Sequence, residues 1–332
     1  MSNFWGKLVK NKKPFFVLAP MLDVTDVAFR EIIAKYGKPD TLWTEFVSCD
    51  GLMSEGKEKL MHLLEYTENQ RPIVAQIFGA KPENFYHTAQ LIKKLGFDGI
   101  DINMGCPQKN ILKQGAGAKL ITTPNLAREI IRETKRGAGD LPVSVKTRIG
   151  FKKNELETWL PVLLEEKPVA ITIHGRTQKD MSKVPADWKI IKRAVEIAKG
   201  SGVLILGNGD VNLVEEGIKR AQESGVDGIM VGRGVFGKPW LFKNWVLGGP
   251  NNLETGFPSV EERLKILIEH LKLYKKYFGD KGEGRIKSFN LMKKHIGAYV
   301  VGFRRAKELR TKLMETEDED SAIQTIQNYL KK

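Results

Sequence analysis

The chain has 332 residues, 41% of them hydrophobic, with 54 Lys and Arg against 40 Asp and Glu and a formal net charge of +14. That apolar fraction is enough for a sizeable core and excludes a chain too polar to fold. The two cysteines, Cys49 and Cys106, exclude a disulfide framework and fit a reducing cytoplasm.

The first thirteen residues lack the apolar stretch of a signal peptide, and no apolar run reaches the ~18 residues of a membrane span. A cytoplasmic, monomeric protein without membrane contact is expected. From there, short β-rich runs alternate with amphipathic segments. The runs lie at 15–19, 41–46, 72–78, 99–103, 142–147, 169–174, 203–208 and 228–232. The segments lie at 24–36, 82–95, 124–136, 155–166, 187–198 and 212–224. Pro82 and Pro124 suit the first turn of a helix, and Gly37 and Gly96 its end. Eight strands with intervening helices predict an α/β fold of the (β/α)8 TIM barrel type, with a doubly wound sheet as the alternative.

Pro239 and the run Gly248-Gly-Pro250-Asn-Asn break this pattern, and after Pro258 the periodicity is helical only, over 260–277, 285–299, 306–314 and 321–330. The expected organisation is a barrel over 1–250 followed by a smaller all-helical C-terminal domain over 255–332. Residues 259–314 carry 15 Lys and Arg against 6 Asp and Glu. A surplus so concentrated favours a polyanionic partner over a merely solvated surface. The acidic stretch 315–320 reads as a turn into the last helix.

Barrel active sites lie at the C-terminal ends of the strands. Here each predicted strand ends in, or carries, polar or turn-forming residues. In order these are Ala19-Pro20-Met21, Glu45, Gln76, Asn103 with Cys106, Lys146, His174 with Arg176, Asn208-Gly-Asp210 and Gly232-Arg-Gly234. Packing does not account for eight such positions at one rim. Lys146 reads as a Schiff-base amine or as a fixed positive charge beside a cofactor that becomes anionic. His174 suits a hydrogen bond to a flavin edge or a pyrimidine carbonyl. Gly232-Arg-Gly-Val-Phe-Gly237 has the letters of a dinucleotide fingerprint. It follows the last strand, however, and runs at once into Lys238-Pro239-Trp240. With Asn208-Gly209-Asp210 it fits the phosphate site of barrels, and FMN has the right size. Cys106 stands in a Gly-Cys-Pro turn, where it can be nucleophile or acid; a thiol with a pKa of about 8.5 is mainly protonated near neutrality. The segment 108–119 after it reads as a mobile loop closing over a substrate. No pair or cluster has metal-ligand spacing, and no metal is expected.

The ordered set of these motifs resembles the tRNA-dihydrouridine synthase family. The residues that carry the resemblance are Ala19-Pro20-Met21 with Thr25-Asp26 and Phe29-Arg30, Gln76-Ile77, Asp101-Ile-Asn-Met-Gly-Cys-Pro107, Lys109 and Gly115-Ala-Gly-Ala118. They continue through Val145-Lys146, His174-Gly-Arg-Thr177, Ala186-Asp-Trp188, Asn208-Gly-Asp210, Gly232-Arg233, Lys294-His295 and Glu308-Leu-Arg310. The resemblance implies a flavoenzyme that takes electrons from NADPH (or NADH) through FMN and reduces uridines of tRNA to 5,6-dihydrouridine. It implies that Cys106 protonates C5. Pro20, Met21, Leu22, Gln76, Lys146 and His174 would contact the flavin, and Asn208, Gly209, Asp210, Gly232 and Arg233 its phosphate end. Asn103, Lys109 and Arg176 would face the substrate. The chain departs from the family's pattern at Gln178–Pro185, where a basic residue, Gln, Tyr and Gly are usual, and at Ala298-Tyr299, where Trp-Tyr is usual. Both bear on which uridine is chosen. The competing readings are a dihydroorotate dehydrogenase-like FMN barrel acting on a small pyrimidine, a Schiff-base aldolase using Lys146, and an RNA-binding protein with an inactive barrel.

Overall fold

A computed structural model describes residues 3–11, 14–243, 258–280, 282 and 284–331. The expected break at 248–252 and the boundary between 250 and 255 lie outside these residues. The chain divides into two compact units, Met1–Leu22 with Pro39–Arg233, and Asp23–Lys38 with Gly234–Lys332.

The first unit is built on eight strands: β1 Phe15–Leu18, β2 Leu42–Ser48, β3 Ile73–Phe78, β4 Gly99–Met104, β5 Val143–Arg148, β6 Ala170–His174, β7 Leu204–Asn208 and β8 Gly228–Val231. All ladders are parallel, in the order β1-β8-β7-β6-β5-β4-β3-β2. The ends of that order meet through a parallel bridge between Val17 and Thr41, where the Leu18 N–H donates to the Thr41 carbonyl at 3.0 Å. The sheet is thus a closed (β/α)8 barrel, as its alternating pattern predicts. Closure removes the sheet's unpaired edges. Strand residues are buried along nearly their whole length, which is why they read as continuous apolar runs.

Pro82 and Pro124 stand in the first turn of helices Pro82–Lys94 and Pro124–Ala138, where a missing N–H costs nothing. Helix Phe4–Asn11 has no counterpart among the predicted elements. It exists because Trp5, 1% exposed, joins a cluster with Phe15, Trp43, Val74, Ala170 and Leu204, most of them near the starts of their strands. Eight residues are too few to show a period; tertiary burial stabilises this helix rather than propensity.

The second unit contains helices Val27–Tyr36, Val260–Phe278, Asn290–Tyr299, Ala306–Glu315 and Glu319–Leu330. Val27, Ala28 and Ile32 share one apolar cluster with Leu264, Leu271, Ile296, Leu313 and Ile326, so the segment 23–38 belongs with these helices. Its entry is fixed by Asp26, whose carboxylate accepts the Phe29 N–H at 2.9 Å. Ser259 and Asp318 cap the helices that follow them. The helix expected from 285 begins only at Asn290. Arg285 instead pairs with the buried carboxylate of Glu319, and the Ser288 carbonyl accepts from Tyr274.

Two histidines are sealed in this core. His270 and His295 lie with ring centres 4.9 Å apart, stacked on Phe29 and Phe236 respectively, and no ring nitrogen of either has a hydrogen-bond partner among the described residues. Burial pushes the His270 pKa down to about 3; burial, then His270, Lys294 and Lys287, hold His295 well below its ordinary value. Both are neutral when folded, and the unfolded chain binds the extra protons. Stability is therefore full above about pH 6.5 and falls as pH drops below it, by about 1.4 kcal/mol per pH unit per histidine. Urea midpoints should fall steadily between about pH 6.5 and 5, and His295→Phe should flatten that fall; an unchanged slope would remove the buried pair as its cause.

Candidate active site

The site lies wholly within the barrel unit. Strand register arranges its base. Gln76 on β3 pairs with Asp101 on β4, which pairs with Ser144 on β5; Asn103 pairs with Lys146 two residues further on. Because strand side chains alternate, Asp101 and Asn103 share one face of the sheet, as do Ser144 and Lys146.

A chain of hydrogen bonds joins these residues. The Asp101 carboxylate accepts from Ser144 Oγ and from Gln76 Nε2, each at 2.6 Å. Gln76 Oε1 accepts from Asn103 Nδ2 at 3.0 Å. Asn103 Oδ1 accepts the backbone N–H groups of Gly105 at 3.0 Å and Cys106 at 2.9 Å. The cysteine turn is thereby fixed just past the end of β4. Cys106 is 8% exposed, and burial pushes its thiol up, with Arg148 and Lys146 acting the other way. It is a protonated thiol at neutral pH. Cys49, by contrast, is sealed in the interior and its thiol is pushed up further, by burial.

The segment after Cys106 is folded rather than open. It forms helix Lys109–Lys113 and a 3-10 turn Gly117–Thr122, with Ala116, Gly117 and Ala118 buried and the Ala118 N–H donating to the Cys106 carbonyl at 3.0 Å. Lys109 stands exposed at the start of that helix. Gly117 has φ +61°, and a Cβ there would lie 2.8 Å from the Cys106 carbonyl oxygen.

Charged groups ring the strand ends. Lys146 is partly buried and has no hydrogen-bond or ion-pair partner among the described residues. Burial and the nearby Arg148 bring its pKa down to about 8, against the pull of Asp101 and Cys106. Arg148 is spent on backbone: Nε donates to the Gly105 carbonyl at 2.7 Å, and Nη1 to Thr177 at 3.0 Å and Met181 at 3.2 Å. No sequence motif singles out Arg148, because its partners belong to the cysteine turn and to the loop after β6. Arg176 is also buried. Its guanidinium donates to the Val184 carbonyl, to Asp210 Oδ2 and to His174 Nε2, the last at 3.0 Å. A guanidinium only donates, so His174 Nε2 accepts and its proton sits on Nδ1. Burial and then Lys146, Arg148, Arg176 and Arg233 keep that ring neutral.

Past β7 and β8, Asp210 is bridged by Arg176 and by Arg233, whose side chain stays 62% exposed. Asn208 Nδ2 holds the Met230 carbonyl at 2.8 Å, tying the two strand ends together. Gly209 is buried with φ +130°, and a Cβ on it would meet Ala186 at 2.5 Å. Gly232 is partly exposed: a Cβ on it would be in ordinary contact with Met21 Sδ at 3.5 Å and Ala19 Cβ at 3.6 Å. Pro20, Met21 and Leu22 are each partly exposed just after β1. All fifteen residues singled out in the sequence thus fall in this unit, in the C-terminal halves of strands or in the segments that follow them. Gln76 and Arg176 spend most of their polar atoms on protein partners.

The family of sequences described as "Dihydrouridine synthase (Dus)" matches residues 17–332. The chain belongs to the dihydrouridine synthase family. It is 40% identical over 320 residues to a "Probable tRNA-dihydrouridine synthase" of Staphylococcus aureus (strain MRSA252), covering 95% of this chain and 92% of that one. It is 40% identical over 337 residues to "Probable tRNA-dihydrouridine synthase 2" of Bacillus subtilis (strain 168), covering 100% and 98%. Among solved structures it is similar in fold to morphinone reductase, with a TM-score of 0.52, 10% identity and coverage of 76% and 92%. It is similar also to histamine dehydrogenase from Rhizobium sp. 4-9, with a TM-score of 0.56, 13% identity and coverage of 82% and 51%.

Gly117→Ala tests the folded segment against a free loop. The strained φ and the contact with Cys106 should together cost about 1–3 kcal/mol, read as a lower urea midpoint. An unchanged midpoint would show that the segment is not held against the cysteine turn.

Proposed function

We propose that this protein is a tRNA-dihydrouridine synthase that reduces the C5–C6 bond of uridines in tRNA, using FMN and NAD(P)H, with Cys106 as the proton donor. The observation that carries this reading is Cys106 in a turn held by Asn103, on the same barrel rim as Lys146, which has no hydrogen-bond or ion-pair partner among the described residues, in a chain of the dihydrouridine synthase family. The residues present suit a flavin. Lys146 offers a positive charge with no ion-pair partner among the described residues, Arg233 a mostly exposed guanidinium, and Gly232 a partly exposed backbone just past β8.

When bound, reduced FMN supplies the hydride that adds to C6 of the uracil ring. Lys146 and Gln76 would hold its pyrimidine edge, and His174 would offer Nδ1–H to it. Asn208, Gly209, Asp210, Gly232 and Arg233 would hold the phosphate end, and Pro20, Met21 and Leu22 the ring system. Negative charge then develops towards C5 and O4 of the uracil. The Cys106 S–H gives its proton to C5, leaving a thiolate that regains a proton from water. The balance is uridine, NAD(P)H and one proton giving dihydrouridine and NAD(P)+. Asn103 positions the cysteine turn, Lys109 is proposed towards the substrate, and Arg176 acts through the Val184, His174 and Asp210 groups it binds.

A uridine inside a stack must first be extracted, at a cost of a few kcal/mol that a loop nucleotide largely avoids. The basic surplus of residues 259–314 supplies phosphate contacts, with affinity that falls as salt rises. Among the described residues no helix is long and apolar enough to cross a membrane. The two unpaired cysteines fit a cytoplasmic enzyme.

The direct test is mass spectrometry of tRNA from cells with and without the gene. A uridine heavier by two hydrogens should disappear at a defined position in the deletion and return with the gene. Identical tRNA from both would overturn the reading, and the small-pyrimidine alternative would then predict reduction of a free base instead.

A further inference from the structure

We propose that Asp101 is a positioning residue for Cys106: its carboxylate sets the direction of an amide relay, Gln76 to Asn103, that holds the cysteine turn. This rests on the reading of Cys106 as the proton donor.

The argument is one of donors and acceptors. A side-chain amide presents an oxygen at one corner and an NH2 at the other, and turning it over exchanges them. Shape alone therefore does not fix which end of Gln76 or Asn103 points where. An ionised carboxylate removes that freedom, because it only accepts. Asp101 is fully buried, and one of its oxygens is already taken by Ser144 Oγ at 2.6 Å. The other faces Gln76, which must present Nε2 to it, at 2.6 Å. Gln76 then offers its oxygen to Asn103, which must present Nδ2, at 3.0 Å. Only Oδ1 of Asn103 is left for the turn, and it accepts both the Gly105 and the Cys106 N–H.

Turning Asn103 over would set its NH2 against those two N–H groups. Two buried donors would lose their acceptor, and the turn carrying the thiol would have to move. Asp101 itself touches neither turn nor thiol; it acts through two other side chains. Its burial raises its pKa to about 6, while the bonds from Ser144 and Gln76 and the charge of Lys146 favour the ionised form. At neutral pH it is therefore an acceptor on both oxygens.

The relay's polarity can be reversed without changing its shape. Asp101→Asn, keeping its oxygen for Ser144, sets an NH2 against Gln76, which must then turn over and set its own NH2 against Asn103, so that Asn103 loses Oδ1 from the turn. Adding Gln76→Glu restores the acceptor: the glutamate introduced at 76 accepts from the asparagine introduced at 101 and from Asn103 Nδ2, and Oδ1 of Asn103 returns to the turn. The readout is the rate of Cys106 alkylation by iodoacetamide in the purified full-length protein at fixed pH, with the sealed Cys49 as internal control. Asp101→Asn should raise that rate roughly fivefold or more, and Asp101→Asn with Gln76→Glu should bring it back to within about twofold of the wild type. A single variant that alkylates at the wild-type rate, or a double variant as reactive as the single, overturns the proposal. A role in packing alone would not give rescue between isosteric residues. Asp101→Leu should in addition lower kcat on tRNA about tenfold with KM changed less than about threefold; equal losses in both would contradict a role at the thiol. The alkylation readout needs no tRNA and no turnover, so it can fail while the proposed reaction stands, or succeed where that reaction is wrong.

Discussion

One amide oxygen, Oδ1 of Asn103, accepts two successive backbone N–H groups and so fixes where Cys106 stands. Much of the rim is arranged around keeping that turn in place. From below, Gln76 holds the Asn103 amide and Asp101 holds Gln76. From the side, Arg148 takes the Gly105 carbonyl and ties it to the loop after β6. From the far side, Ala118 donates to the Cys106 carbonyl, and only a glycine at 117 permits that approach. A thiol in a Gly-Cys-Pro turn is thus held by neighbours on β3, β4, β5 and the following helical segment. Proton transfer to a carbon needs such fixed placement, because the reacting atoms must be aligned before the transfer begins.

The electrostatics follow the same division of labour. Of the four cations near His174, three, Lys146, Arg148 and Arg176, are at least partly buried. Arg148 and Arg176 are used up on carbonyls and on Asp210, which leaves Lys146 as the one of the three without a partner among the described residues. That difference separates the structural cations from the one available to a ligand. Buried arginines bound to backbone carbonyls stabilise loops; an unpartnered ammonium lowers the energy of negative charge placed beside it.

The barrel was legible because its strands are buried on both faces and two of its helices start at prolines, so period and punctuation agree. The rim residues were legible because polar side chains at strand ends resist any packing explanation. Other features were not legible, for physical reasons. Helices Cys49–Leu52, Lys57–Met61 and Lys109–Lys113 are four or five residues long and carry no period. Val27–Tyr36 reads as an amphipathic helix whichever surface it covers, so its place among Leu264, Leu271 and Ile296 is a tertiary fact. Asp101, Gln76 and Ser144 meet through strand register across 25 and 43 positions. The union of Arg176 with Asp210 spans 34 positions. All but Ser144 were visible as residues, and none as a pair.

The central claim is that Cys106 supplies the proton that completes reduction of the uracil ring. A single-turnover measurement on Cys106→Ala tests it most directly: the variant is reduced, mixed with unmodified tRNA, and dihydrouridine formation is followed against the wild type. The account predicts that the variant binds flavin and tRNA as the wild type does and forms product at least about a hundredfold more slowly, within the range that a general acid contributes. Product formation at the wild-type rate would contradict it.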